Sequence, residues 1–180
     1  MDLSLDIETL STQTNAVVLS IGMVPFEGYE VYKDKSLLFV LDAQDQIDRG
    51  RHVSMSTLNW WQEQPHGVWK ASTQAGGEIE SALDALNYYV ISEHIQHVWV
   101  KGAHFDAAIL LNLAEMYGMN LRIGYRDWRD VRTIRVDPGR DGLTEEQEAS
   151  MQGQEPHNPV ADALRQAYQV INAKKQLGVM

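Results

Sequence analysis

The chain has 180 residues, of which 44% are hydrophobic and 22% charged, a balance that fits one domain spanning 1–180 with a single sizeable core. It has no cysteine, so disulfides, zinc–thiolate sites and thiol catalysis are excluded. Its formal net charge of −10 argues against indiscriminate binding to nucleic acid, and no apolar run approaches the roughly 20 residues that span a bilayer. From the start of the chain, Leu3, Leu5 and Ile7 alternate with Ser4, Asp6 and Glu8, the period of a strand. That alternation sends Asp6 and Glu8 off the same face. Residues 16–26, rich in Val, Ile and Leu, read as a second strand punctuated by Pro25 and Gly28, and residues 36–41 as a third, with 27–35 as the hairpin connection.

Residues 54–63 read as a helix with Ser54 or Ser56 available as its cap. Gly67 and the pair Gly76-Gly77 mark loops around 68–73. Ile79, Leu83, Leu86 and Val90 have helical spacing, giving an amphipathic helix over 78–92. A short apolar strand at 97–101 precedes a second helical stripe, Phe105, Ile109, Leu113 and Met116, stopped by Gly118. A short strand is expected at 121–125 and a helix at 127–136. Residues 139–155 form a polar loop with room for one helical turn, and a last helix covers 159–175 with Pro159 in its first turn. This order implies an α/β domain, a mixed five-stranded sheet flanked by helices. The first three strands are joined by short connections and can pair antiparallel; the later ones need helical crossovers.

Three acidic stretches stand out: Asp6-Ile7-Glu8-Thr9, Gly102-Ala103-His104-Phe105-Asp106, and His157-Asn158-Pro159-Val160-Ala161-Asp162. Each acid has an ordinary use by itself. Asp6 and Glu8 could line a wetted sheet face, and Asp106 and Asp162 could sit at helix N-termini, where the macrodipole favours them. Jointly they offer four carboxylates and one histidine with no thiols, a donor set that suits hard divalent cations such as Mg²⁺ or Mn²⁺. A phosphodiester resists attack because its anionic oxygens repel a nucleophile, and two cations roughly 4 Å apart overcome that repulsion.

In order and spacing, the three stretches resemble the motifs of the DEDD exonucleases, in the DnaQ-like or DEDDh subgroup with histidine in the last motif. Small phage and bacterial members, of the phage exodeoxyribonuclease A and RNase AS types, also resemble the chain at Ile21-Gly22, Trp60-Trp61 and Asp130-Val131-Arg132-Thr133. The resemblance implies a ribonuclease-H-like fold and a two-metal 3′–5′ exonuclease that releases nucleoside 5′-monophosphates from single-stranded or overhanging 3′ ends of RNA or DNA. It implies that Asp6 bridges two Mg²⁺ or Mn²⁺ ions, that Glu8 and Asp162 complete one site, that Asp106 holds the other, and that His157 is the general base. An imidazole suits proton uptake near neutral pH and typically contributes about 10²–10⁴-fold in rate. It further implies that Thr9 and Leu10 contact the 3′-terminal nucleotide.

Substrate contacts are also expected from Trp61, by stacking, and from Arg129 and Arg132. Trp60 and Trp61 point about 100° apart on a helix, so one can pack inward while the other faces a groove. The segment 122–140 holds six arginines against three aspartates and reads either as a solvated helix face or as a phosphate-steering patch. Two other functions are compatible with the pattern: an endonuclease on the same fold, and a nucleic-acid-binding module without catalysis. A homodimer could bring the arginines of one subunit near the site of the other. The chain opens without a basic region followed by an apolar run, which reads as a cytoplasmic protein of a bacterium or a phage.

Overall fold

The computed structural model describes residues 1–65, 69, 76–134, 142–153 and 157–179. The expected segment 68–73 lies outside them apart from Trp69, as do Arg135 and Arg140. At the centre is β1 (Asp2–Thr9), which pairs antiparallel with β2 (Val18–Glu27) in a register that sets Asp6 opposite Gly22 and Glu8 opposite Ser20. On its other side β1 pairs parallel with β5 (His97–Val100), and β5 in turn pairs parallel with β6 (Trp128–Asp130). The other edge of β2 takes the two-residue β3 (Glu30–Val31) and β4 (Leu37–Val40), both antiparallel. The α/β class and mixed sheet match expectation, but among the described residues the sheet has six strands. The additional strand, β3, lies inside the hairpin connection and is too short to show a period.

Two further differences have physical causes. Residues 121–125 do not form the expected strand. Ile123 is buried in the core and Asp127 turns the chain by accepting from Gly124 N at 2.9 Å, so the apolar residues there report burial rather than pairing. The strand follows at β6, where the parallel partner β5 supplies the ladder. The expected helix over 127–136 shortens to α5 (Val131–Ile134), its last two positions lying outside the described residues.

A short α1 (Ala43–Asp48) was not expected. Asp42 caps it by accepting from Gln44 N and Asp45 N. Its buried Gln46 bonds both Val18 N and Val18 O at 2.8 and 2.7 Å, fixing the start of β2. Next come α2 (Met55–Glu63) and α3 (Ile79–Ser92), then α4 (Asp106–Met116) after β5, α6 (Glu145–Ser150) in the polar loop, and α7 (Pro159–Leu177). Ser54 occupies the N-cap position of α2 without a side-chain cap bond.

The odd residues of β1, Leu3, Leu5 and Ile7, join Leu83, Leu86, Ile109, Leu110 and Leu113 in the main core beneath α3 and α4. The even residues face α7 on the opposite side. There Phe26 and Trp99 pack with Ala167, Val170 and Ile171. Gly22 explains how closely α7 sits. A Cβ at that position would fall 2.2 Å from Pro159 C and 2.4 Å from Val160 N, so the first turn of the helix rests on the bare backbone of β2. Among the described residues no helix is long and apolar enough to cross a membrane.

Candidate active site

Helix α7 lies antiparallel to β1 with its charged and polar residues in step. Asp162 stands near Glu8, Gln166 bonds Asp6, and Lys174 bonds Asp2. Twelve helical residues rise about 18 Å and six strand residues about 20 Å, so the two elements can stay in register over this length. The start of α7 is fixed locally. Asn158 is its N-cap, accepting from Val160 N and Ala161 N at 3.0 and 3.2 Å. His157, just before the cap, has φ 61, an uncommon left-handed conformation for a residue with a side chain. Its backbone N donates to Asp162 Oδ2 at 3.1 Å, which ties the histidine to the aspartate of the same motif.

Glu8, His157 and Asp162 present ligand atoms that all lie within 4.8 Å of one another. Asp6 is the next acid along the same face of β1. Asp106 enters from α4 as that helix's first residue, held by the bonds of Phe105 N and Asp106 N to Gly102 O. The five groups named from the sequence therefore converge at the C-terminal end of β1, under the first turn of α7 and beside the start of α4.

The electrostatics show how little cation is built in. Glu8 is pushed from its ordinary 4.5 up to about 8, first by burial and then by the charges of Asp162 and Asp106. Asp106 rises from 3.8 to about 7 through burial, with backbone hydrogen bonds and Arg132 opposing. Asp6 is driven well above the carboxylate range by burial, then by Asp106, Glu8 and Asp162, against the bond from Gln166. Asp162 is raised by burial, with His157, Arg165 and Lys101 opposing. Clustered acids in a low-dielectric pocket favour protons or cations over free carboxylates. Oxygen donors with one imidazole fit hard divalent cations.

The expected substrate contacts fare differently. Trp61 is 1% exposed and its indole donates to Thr9 O at 2.9 Å, so the ring belongs to the core beside Leu10, Val17 and Leu19. Leu10 is buried in the same cluster. The Thr9 hydroxyl is spent on Ser11 O at 2.7 Å. The outward member of the tryptophan pair is Trp60, at 38% exposed, whose ring meets His157 edge-on with centroids 4.6 Å apart at 85°. Arg129 bonds the carbonyls of Arg126 and Trp128 and serves its own loop. Arg132 reaches the site: a Cβ on Gly102 (φ 131) would lie 2.8 Å from its Nη1, so its guanidinium covers that glycine next to Asp106. Asp130 braces this corner, accepting from Ala103 N at 3.0 Å and Arg132 N at 2.9 Å.

Sequence reasoning missed Gln166 and Lys101. Gln166 follows Asp162 by four residues on a helix and so shares its face, a spacing that could have found it. Lys101 ends the segment leading from β5 and carries no motif.

The model of the Rv2179c-like 3′–5′ exoribonuclease domain matches residues 1–173. No curated protein matches the chain. Among solved structures, exonuclease X in complex with 5′ overhanging duplex DNA is 15% identical, with TM-score 0.60, over 100% of this chain and 95% of that one. The nuclease domain of 3′hExo, a DEDDh family member bound to rAMP, is 10% identical with TM-score 0.64 over 98% and 92%. S. pombe Pop2p in its Mg²⁺- and Mn²⁺-bound form is 13% identical with TM-score 0.63 over 97% and 82%. These likenesses give the ribonuclease-H-like fold. With the family match over nearly the whole length, the chain belongs to the Rv2179c-like 3′–5′ exoribonuclease family and is a 3′–5′ exonuclease.

Proposed function

We propose that the protein removes nucleoside 5′-monophosphates one at a time from single-stranded 3′ ends of RNA, using two Mg²⁺ or Mn²⁺ ions. The observation that carries this is the convergence of Glu8, His157 and Asp162 within 4.8 Å, with Asp6 and Asp106 adjoining and the acids raised by burial and by one another. Asp6, Glu8, Asp106 and Asp162 would hold the ions. Bound there, the ions would neutralise the phosphate oxygens, activate the attacking water and stabilise the leaving oxygen. His157 would take the proton from the attacking water. Its place is set by the backbone bond to Asp162 and by the Trp60 ring against its edge. Arg132 lies where a substrate phosphate beside Asp106 would meet a positive charge, and the exposed Trp60 offers a base a stacking surface worth about 1–3 kcal/mol.

RNA is favoured over DNA because the matching family is described as exoribonuclease and because one structural relative holds rAMP. Exonuclease X, bound to overhanging DNA, keeps DNA as the arm to compare. The acidic, cysteine-free chain fits a bacterial or phage-infected cytoplasm. End-labelled RNA and DNA oligonucleotides of one sequence, incubated with Mn²⁺ or Mg²⁺, test the reading. It expects a ladder of 3′-shortened products, faster on RNA, with a covalently closed circle untouched. Intact oligonucleotides of both kinds would overturn the reading, and cutting of the circle would indicate an endonuclease.

A further inference from the structure

Gln166 is 2% exposed, on the face of α7 that covers β1. Its Nε2 donates to Asp6 Oδ1 at 2.7 Å, while its Oε1 is buried with no hydrogen-bond partner among the described residues. A buried acceptor left unsatisfied costs about 1–3 kcal/mol, so an apolar side chain of similar size would serve packing better. What the amide adds is a donor in a fixed place. Turned over, it would set Oε1 against an oxygen of the ionised carboxylate, acceptor to acceptor, so the ionised form of Asp6, the form that binds a cation, selects one orientation. It is also a neutral donor. Further along the same helix, Lys174 meets Asp2 Oδ2 at 2.8 Å and cancels its charge. Gln166 engages one oxygen of Asp6, brings no counter-charge, and leaves Oδ2 available.

We propose that Gln166 is a positioning residue that locks the orientation of Asp6 without neutralising it, so that the acidic site is set before a divalent cation arrives. This rests on reading the cluster as a cation site. Outer hydrogen bonds to ligands of this kind are typically worth about 10–100-fold in metal affinity.

The test is Mn²⁺ binding to the full-length protein at pH 8, followed by the electron paramagnetic resonance signal of free Mn²⁺, for wild type, Gln166→Leu and Gln166→Asn. The asparagine keeps the amide but is one methylene too short, and it provides the answer should the leucine variant not fold. Both variants are expected to bind Mn²⁺ about 10–100-fold more weakly. The Mn²⁺ midpoint of oligonucleotide hydrolysis should move by the same factor, and KM at saturating Mn²⁺ should not change. A purely structural role would alter thermal unfolding in EDTA and leave Mn²⁺ affinity alone. Wild-type binding with either folded variant within twofold of it overturns the positioning role. A wild type that binds no Mn²⁺ overturns the cation-site reading beneath it.

Discussion

At its N-terminal end β1 buries Asp2 against Lys174 Nζ at 2.8 Å, Trp99 Nε1 at 2.9 Å and His97 Nδ1 at 3.0 Å. Burial alone would raise this carboxyl, but the bonds from Lys174 and Trp99 outweigh it and hold Asp2 below its ordinary 3.8. Further along the same face, Asp6 and Glu8 meet acids instead, and both are pushed up. One strand and one covering helix thus treat their acids in opposite ways. Asp2 has its counter-charge built into the chain and serves stability. Asp6 and Glu8 face other acids among the described residues, and a buried charge without a counter-charge destabilises the fold, so a bound cation would complete this end. The difference sets apart the end of the strand at which the proposed cation site lies.

Substitutions at the two ends should separate these roles. The largest effect is expected from Asp6→Asn and Asp162→Asn. Each should take nuclease activity to background while raising the unfolding temperature of the EDTA-treated protein, because each removes a repelling charge. Loss of activity together with lower stability would place the acids in the fold rather than the site. His157→Ala should lower kcat by about 10²–10⁴-fold, the usual worth of a positioned general base, measured at saturating Mn²⁺. A drop under tenfold would mean that another group takes the proton.

Gly22→Ala tests what holds the two ends in register. Its Cβ would collide with Pro159 backbone, and overpacking of this kind costs about 1–3 kcal/mol. Urea unfolding should show that loss, and activity should fall as the first turn of α7 lifts Asp162 and His157. At the compensated end, Asp2→Ala should cost about 1–3 kcal/mol by leaving Trp99 and Lys174 without their acceptor, with kcat unchanged. A fall in kcat there would blur the contrast between the ends.

The site was legible in the sequence to the extent that local geometry determines it. Asp6 and Glu8 share a face because a strand alternates, and Asp106 and Asp162 precede apolar stripes of helical period. Their meeting point depends on chain order, which the resemblance supplied. What local pattern does not carry is which side of an element packs. Trp60 and Trp61 are neighbours, and only the contact of α2 with Leu10, Val17 and Leu19 decides that Trp61 is the buried one. The same holds for the last strand. Residues 121–125 have the apolar character of a strand, but β6 forms where β5 offers parallel hydrogen bonds, a partner 30 positions back. Gln166 was hidden by its type, since an amide is no metal ligand and its role appears only with Asp6 beneath it.

The charge contrast along β1 also fixes a pH dependence. With folded Glu8 at about 8 against an ordinary 4.5, and Asp106 at about 7 against 3.8, the metal-free native state holds more protons than the unfolded one between those values. Its stability from this end is therefore full below about 4 and declines as pH rises toward 8. Asp2 works in reverse, its contribution present at neutral pH and lost only as pH falls below 3.8. Thermal unfolding from pH 2 to 9, in EDTA and in Mn²⁺, puts both statements to one test. The unfolding temperature in EDTA should fall between pH 5 and 8. Mn²⁺ should restore it, by about 2.7 kcal/mol at a hundredfold excess over Kd, and more at pH 8 than at pH 5, where protons compete. A metal-free protein that grows more stable toward pH 8 and gains nothing from Mn²⁺ would contradict the assignment of these acids to a cation site.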